Sequence, residues 1–173
     1  MKVKTMFVNG KSLLEAAPIT DMFDSKNVYE GTSFGLSEAG YDIRIKQQIH
    51  FINDAYGART VVLNLDTGEE ETFMGHFVLA SSVEHFQTPR NLVGSVKDKS
   101  TWARRGLSVF NTVIEPGWNG FLTLELVYHG QDNLLIKSGQ GIAQVLYGLL
   151  TDQGDYGDGK YQNQESNPVS SRS

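Results

Sequence analysis

The chain has 173 residues, of which 39% are hydrophobic and 20% charged, and its formal net charge is −5. This length indicates one domain with its own core, and the negative charge argues against charge-driven binding to nucleic acid or acidic membranes. Without cysteine, the chain has no disulfide, thiol nucleophile or cysteine-containing zinc site. No apolar run forms a signal peptide or reaches the ~20 residues that span a bilayer, so we expect a cytoplasmic protein.

The first predicted element is a short helix in residues 11–18 (KSLLEAAP). Ser12 and Glu15 have the spacing of a capping box, and Pro18 is a stop signal. Residues 21–40 are rich in Gly, Ser and Asp and are predicted to form a loop.

From residue 41 onward, apolar and polar residues alternate with the period of a β-strand, and turn signals such as Pro116-Gly117 separate the runs. Eighteen glycines against four prolines agree with many tight turns. The predicted fold is therefore all-β, a β-sandwich or distorted barrel with one or two short helices. The predicted strands lie at 41–46, 60–66, 76–83, 107–114, 121–128 and 142–149.

Residues 99–106 (KSTWARRG) predict a one-turn helix with Ser100 as its N-cap. Its free N–H groups, together with Lys99 and Thr101, would form an anion site. Arg104 falls on the same face as Ser100. The alternative is a capped surface turn with solvated arginines.

The strand predicted at 121–128 carries an acid between two leucines. Glu125 shares a face with Phe121 and Thr123, which is not a clean polar face. We therefore expect Glu125 to be partly buried, and burial would raise its pKa towards the range of a proton shuttle. The alternative is a solvent-facing Glu on an edge strand.

The last segment, residues 152–173, has almost no aliphatic residue and cannot form a core, so residues 1–151 are predicted to be the domain. A flexible terminus is one interpretation. The other is a tail that closes over a polar, planar ligand through Tyr156, Lys160, Tyr161 and Gln164.

Four motifs, in this order, resemble those of the dCTP deaminases of the dUTPase-like superfamily, and the resemblance covers most of the chain. They are AGYDIRI (39–45), KSTWARRGL (99–107), IEPGWNG (114–120) followed by Leu124-Glu125, and KYQNQ (160–164) with Ser171-Arg172.

This resemblance implies a distorted β-barrel or jelly-roll subunit of the dUTPase-like type, in a homotrimer whose active sites are shared between neighbours. The implied reaction is hydrolysis of the 4-amino group of dCTP to dUTP and ammonia, which supplies dUTP for thymidylate synthesis. Glu125 would be the general acid/base, and Ser100 and Arg104 would orient water and ligand. Mg²⁺ would bind through the triphosphate without a protein ligand, and dTTP is a candidate inhibitor. The implied substrate-binding residues are Lys99, Ser100, Thr101, Trp102, Ala103, Arg104, Asn111, Thr112, Glu115, Thr123, Leu124, Gln144, Tyr156, Lys160, Tyr161 and Gln164.

Two residues depart from the family pattern, and three other activities stay open. Lys99 replaces an arginine, and Glu115 stands where the family usually has aspartate. In dUTPases that aspartate holds the attacking water, so Glu115 weakens a dUTPase interpretation, whereas Glu125 favours deamination. The alternatives are a bifunctional enzyme that forms dUMP and pyrophosphate, a plain dUTPase, and a non-catalytic nucleotide sensor on the same fold.

A zinc-dependent deaminase is not expected from this sequence. Zinc-dependent nucleotide deaminases need a His/Cys/Cys or Cys₃ set and an H-x-E motif. The chain has neither, and its four histidines show no metal-ligand spacing, so they are interpreted as structural or exposed. A deaminase with this sequence would leave the proton transfers to a carboxylate.

Overall fold

The computed structural model describes residues 6–110 and 112–173. In these ranges the chain is mostly strand with two short helices, which confirms the all-β prediction, and neither helix there has the length and hydropathy to cross a membrane. The elements are β1 (Phe7–Val8), α1 (Gly10–Ala16), β2 (Lys26–Tyr29), β3 (Thr32–Leu36), β4 (Tyr41–Arg44), β5 (Gln48–Asp54), β6 (Gly57–Leu63), β7 (Glu70–Met74), β8 (Phe77–Gln87), β9 (Leu92–Asp98), α2 (Ser100–Ala103), β10 (Leu107–Val109), β11 (Val113–Ile114), β12 (Asn119–Tyr128), β13 (Leu134–Ile136) and β14 (Gly141–Leu149).

Within the described ranges, the strands form three antiparallel sheets around one apolar core. The largest sheet has the order β11-β9-β14-β4-β3-β2, with β1 paired to β14, and the other two have the orders β10-β12-β8 and β13-β5-β6-β7. Fully buried aromatic side chains such as Tyr41, Phe51, Phe86 and Tyr147 fill the space between them. None of these sheets closes on itself, so the architecture is a distorted jelly roll.

Helix α1 lies where the sequence predicts a helix, but it begins earlier. Its N-cap is Asn9 in extended conformation, and Ser12 and Glu15 lie inside the helix, so the predicted capping box is wrong. The helix ends at Ala16, and its C-cap Ala17 takes the left-handed conformation with φ 44° directly before Pro18. The predicted stop is therefore confirmed.

The loop predicted at 21–40 is wrong, because this segment contains the β2–β3 hairpin. Tyr29 pairs with Thr32, which leaves Glu30 and Gly31 as a two-residue turn. Both turn residues have positive φ, 47° and 78°, and that is the geometry that a tight hairpin with the normal strand twist requires.

The single strand predicted at 107–114 is also wrong, since the chain crosses here from one sheet to another. β10 pairs with β12, whereas β11 pairs with β9 in the largest sheet. β12 lies between β10 and β8 in its sheet, and its pairing with β8 places Leu79 directly opposite Glu125. This crossing and this pairing form the frame of the candidate site.

Candidate active site

A tight corner separates β11 from β12. The N–H of Trp118 donates to the carbonyl of Glu115 at 3.1 Å, and Gly117 has φ 78°. Positive φ at the third position is what a type II turn requires, so the predicted Pro116-Gly117 turn is confirmed. Pro116 and Trp118 are buried under this corner.

The tail packs along the corner and along β12. The N–H of Tyr156 donates to the carbonyl of Pro116 at 2.7 Å, and the N–H of Phe121 donates to the carbonyl of Gln164 at 3.0 Å. Gln164 is buried and forms a parallel bridge with Gly120. The tail therefore continues the sheet at the edge of β12 for one residue pair.

A cavity of about 650 Å³ lies between β12, the corner and the tail. Its apolar wall includes Phe77, Leu79, Ile114, Leu122 and Val169. Sequence reasoning missed these residues, because strands β8 and β12 must be paired before Leu79 can be placed near Glu125. The predicted site residues that line the cavity are Thr112, Glu115, Thr123, Glu125, Tyr156, Tyr161 and Gln164.

Glu125 is half-buried in this wall, as its mixed strand face predicts. Its Oε2 atom is buried and has no hydrogen-bond partner among the described residues. Burial raises the pKa of this carboxyl above its ordinary value, because an apolar surrounding disfavours the charged form. An unpaired buried acceptor costs free energy, so the arrangement is suited to a group that meets its partner in a bound ligand.

Two cations lie beside Tyr161, which lines the cavity. The cations of Lys160 and Arg172 each lie 5.9 Å from the ring centre of Tyr161. The N–H of Arg172 donates to the Tyr161 hydroxyl at 3.2 Å, and hydrogen bonds from Arg172 and Ser171 lower the pKa of that phenol. Lys160 itself is exposed and does not line the cavity.

Helix α2 forms a separate group of predicted site residues. Its N-cap is Lys99 without a capping side-chain bond, and Ser100 is the first helical residue, so the predicted Ser100 cap is wrong. Ser100 and Arg104 are exposed. Trp102 is buried, and its Nε1 donates to the carbonyl of Gly141 at 2.7 Å, which fixes the helix on β14.

Lys99 is tied to a buried acid inside the same chain. Its ammonium forms an ion pair with Asp42 and donates to Ser33 Oγ at 2.9 Å. Gln144 Nε2 donates to the other oxygen of Asp42 at 3.2 Å. The positive charge of Lys99 is thus already balanced, which the sequence motif alone does not indicate.

Within one chain, the cavity therefore brings together only part of the predicted site. Asn111 lies outside the described residues. No group of three or more His, Asp or Glu side chains within residues 6–110 and 112–173 could hold a metal ion. The predicted site residues that do not line the cavity are Lys99, Ser100, Thr101, Trp102, Ala103, Arg104, Leu124, Gln144 and Lys160.

An exposed apolar patch lies beside the cavity. The rings of Phe77 and Phe110 are 6.2 Å apart and about half of each is exposed. Val113, on β11, is 56% exposed. Three large apolar side chains this close to a cavity are typical of a surface that contacts another molecule.

A jelly-roll subunit with a desolvated carboxylate in a cavity is suited to acid–base chemistry on a small molecule. Comparisons with known proteins make the class specific: the family model described as dCTP deaminase-like matches residues 13–150. The chain belongs to this family.

Its relatives include the dCTP deaminase of Acidobacterium capsulatum, 34% identical over an alignment of 160 residues that covers 83% of this chain and 85% of that protein. The dCTP deaminase of Campylobacter fetus subsp. fetus is 35% identical over 156 residues, 83% of this chain and 84% of that protein.

Two solved structures share the fold. One is 2′-deoxycytidine 5′-triphosphate deaminase from Agrobacterium tumefaciens, with a TM-score of 0.55 at 11% identity over 87% of this chain and 50% of that chain. The other is a mutant Staphylococcus bacteriophage 80alpha dUTPase with dUpNHpp, with a TM-score of 0.51 at 11% identity over 88% of this chain and 94% of that chain. The predicted dUTPase-like fold is thereby confirmed.

Proposed function

We propose that this protein is a dCTP deaminase that hydrolyses the 4-amino group of dCTP to give dUTP and ammonia, and so supplies dUTP for thymidylate synthesis. The observation that carries the proposal is the buried Oε2 of Glu125 on the wall of the cavity, which has no hydrogen-bond partner within residues 6–110 and 112–173. The relatives named dCTP deaminase over most of both chains support it.

In the proposed reaction, Glu125 moves each proton. Its carboxylate takes a proton from water, whose oxygen bonds to C4 of the cytosine, and the carboxyl passes that proton to N3. The carboxylate next takes the second proton of the attacking oxygen and gives it to the amino nitrogen. The C4–N4 bond then breaks, and ammonia leaves with the 4-oxo group of uracil in place. A pKa raised by burial suits a group that must both accept and release protons near neutral pH.

We propose that the complete site forms between subunits of a homotrimer. The separation of α2 from the cavity within one chain supports this, because Ser100 and Arg104 of a neighbouring copy could then complete the site. The patch of Phe77, Phe110 and Val113 beside the cavity supplies an apolar surface for such a contact. Asp42 balances Lys99, so the exposed Arg104, which caps the end of α2, is the cation that we propose for the phosphate groups.

The other parts of the substrate would meet the tail and the corner. Tyr156, Lys160 and Gln164 would contact the triphosphate as residues 152–173 close over it, and Thr123 and Leu124 would contact the pyrimidine edge. Thr112 and Glu115 would lie near the sugar and the water. Mg²⁺ would be bound through the triphosphate oxygens, where it supplies charge neutralisation, and dTTP would compete for the same site.

Product identification tests the proposal. The purified protein is incubated with dCTP and Mg²⁺, and ammonia, dUTP, dUMP and pyrophosphate are measured. Ammonia with dUTP supports a deaminase, and dUMP with pyrophosphate supports the bifunctional enzyme. Tight dCTP binding without any product supports the nucleotide sensor.

A substitution tests the role of Glu125. Glu125→Gln keeps the shape of the side chain but cannot carry a proton, so turnover should fall by about 10²-fold or more, while dCTP binding is retained. Calorimetry gives the affinity and ammonia release gives kcat. Wild-type kcat in this variant would remove Glu125 from the mechanism.

A further inference from the structure

Beyond Gln164, the tail makes a second set of contacts with residues outside the predicted site. Lys46 Nζ donates to Ser166 Oγ at 2.8 Å, and Ser81 Oγ donates to the Ser166 carbonyl at 2.9 Å. Ser81 is fully buried. Two hydrogen bonds to Gln47 hold Ser81 in place. The N–H of Ser81 donates to Gln47 Oε1 at 2.8 Å, and Gln47 Nε2 donates to Ser81 Oγ at 2.9 Å. We name Lys46, Gln47, Ser81 and Ser166 the tail latch.

The tail latch lies directly before the part of the tail that lines the cavity. Residues 169–171 form one side of the cavity that contains Glu125, and Ser166 is fixed three residues earlier. Among the described residues, residues 166–171 make one other polar contact with the sheets. The N–H of Val169 donates to Thr123 Oγ1 at 3.1 Å. The latch thus limits how far residues 169–171 can move away from the cavity.

The positive charge of Lys46 strengthens its hydrogen bond to Ser166. The side chain of Lys46 is only 19% exposed, so its hydrogen bond to Ser166 is partly desolvated and is stronger than one in water. Lys46 also forms an ion pair with Asp66 at 3.2 Å, but the Asp66 side chain is 71% exposed. Such a solvated pair contributes little, which makes Asp66 a suitable control.

We infer that the tail latch is a positioning element that holds residues 169–171 as a preformed side of the cavity. Neither Lys46 nor Ser166 lines that cavity, so the latch would act only through the tail. A preformed wall reduces the ordering that a ligand must impose, so loss of the latch should weaken binding and leave the chemical step intact. Only the choice of dCTP as the ligand rests on the proposed function.

The test compares Lys46→Met, Ser166→Ala, the double variant and the control Asp66→Asn in the full-length protein. The first readout is the rate of amide hydrogen exchange at Val169–Ser171, divided by the rate at the amides of β14. Global destabilisation raises both rates, so it cancels in this ratio. Each single latch variant should raise this ratio about three- to tenfold, the effect of losing one charge-assisted hydrogen bond while a second anchor remains. The double variant should match the singles, because both remove the same contact. Asp66→Asn should leave the ratio unchanged.

The second readout is steady-state deamination of dCTP. We expect KM to rise about three- to tenfold in both single latch variants, with kcat within about twofold of wild type. An unchanged exchange ratio in both variants overturns the inference, and so does faster exchange with unchanged KM. If wild-type protein turns over no dCTP, the proposed function fails, but the exchange ratio still decides the latch: a rise supports it and no change overturns it.

Discussion

At the scale of single residues, Glu125 is the acid on which the proposed activity depends. It lies on the largely apolar wall of the cavity, and its buried Oε2 has no partner in the part of the chain that the structure describes. A buried acceptor without a partner is unfavourable for the folded protein, because its lost hydration is not replaced. Burial also raises the pKa of this carboxyl, which is a property expected of a proton-transferring group in a cavity.

The raised pKa of Glu125 should make the free energy of unfolding depend on pH. The ordinary value is 4.5 and burial raises it in the folded state, so between the two values the folded protein holds a proton that the unfolded chain has lost. The contribution of Glu125 to the free energy of unfolding therefore falls as pH rises from about 4.5 through the raised pKa. Gln cannot titrate, so Glu125→Gln should gain stability relative to wild type over this window. Denaturant unfolding of both proteins from pH 4 to 8, at one protein concentration, measures the difference. A difference that does not change with pH would show that the carboxyl is not desolvated.

At the scale of elements, the corner and the tail depend on one glycine. Gly120 has φ 141°, and a Cβ atom there would lie 2.6 Å from the backbone nitrogen of Gln164. Both the backbone angle and the contact exclude any larger residue. The tail can pack beside β12 only because this position has no side chain.

Gly120→Ala should destabilise the protein by about 1–3 kcal/mol, since it forces a residue with a side chain into a conformation that is nearly exclusive to glycine. It should also separate Gln164 from β12 and raise the KM for dCTP. Gly148→Ala is the matched control, because a Cβ there would meet only Val93, at an ordinary 3.7 Å. Thermal unfolding and steady-state kinetics of the two variants give the comparison, and equal melting temperatures would contradict the argument.

The sequence predicts several of the alternating strands but misses others, among them β5, β7, β9 and β13. The alternation on β12 predicts both the strand and the half-burial of Glu125. The β2–β3 hairpin is missed because Glu30-Gly31 is a turn inside a segment whose composition resembles a loop. Two features of the site depend on tertiary structure, so no local sequence pattern could indicate them. One is the pairing of Leu79 with Glu125 on distant strands, and the other is the ion pair between Lys99 and Asp42.

At the scale of the whole molecule, the separation of α2 from the cavity connects the proposed activity with assembly. A monomer presents Phe77, Phe110 and Val113 to solvent. Burial of such side chains between subunits is favourable by about 25 cal/mol per Å². If the neighbouring copy supplies Ser100 and Arg104, activity should require the assembled form.

Phe110→Glu tests this connection, because it places a charge in the apolar patch while the backbone contact of Phe110 with Glu125 remains. If the protein is the proposed trimer, we expect this variant to dissociate and its dCTP deamination to fall by about tenfold or more. Tyr56→Glu is the control, since Tyr56 is 88% exposed in the turn between β5 and β6. Light scattering after size-exclusion chromatography measures the mass. A Phe110→Glu protein that stays trimeric would place the interface elsewhere.

The edge of strand β7 affects how copies of the protein can associate. It pairs only with β6 among the described strands, and all five of its residues are exposed. An unpaired strand edge is a template on which other chains can add, and charged side chains oppose this. Glu70 and Glu71 begin the strand, in a chain of net charge −5. Electrostatic repulsion between copies at this edge therefore disfavours fibrillar association.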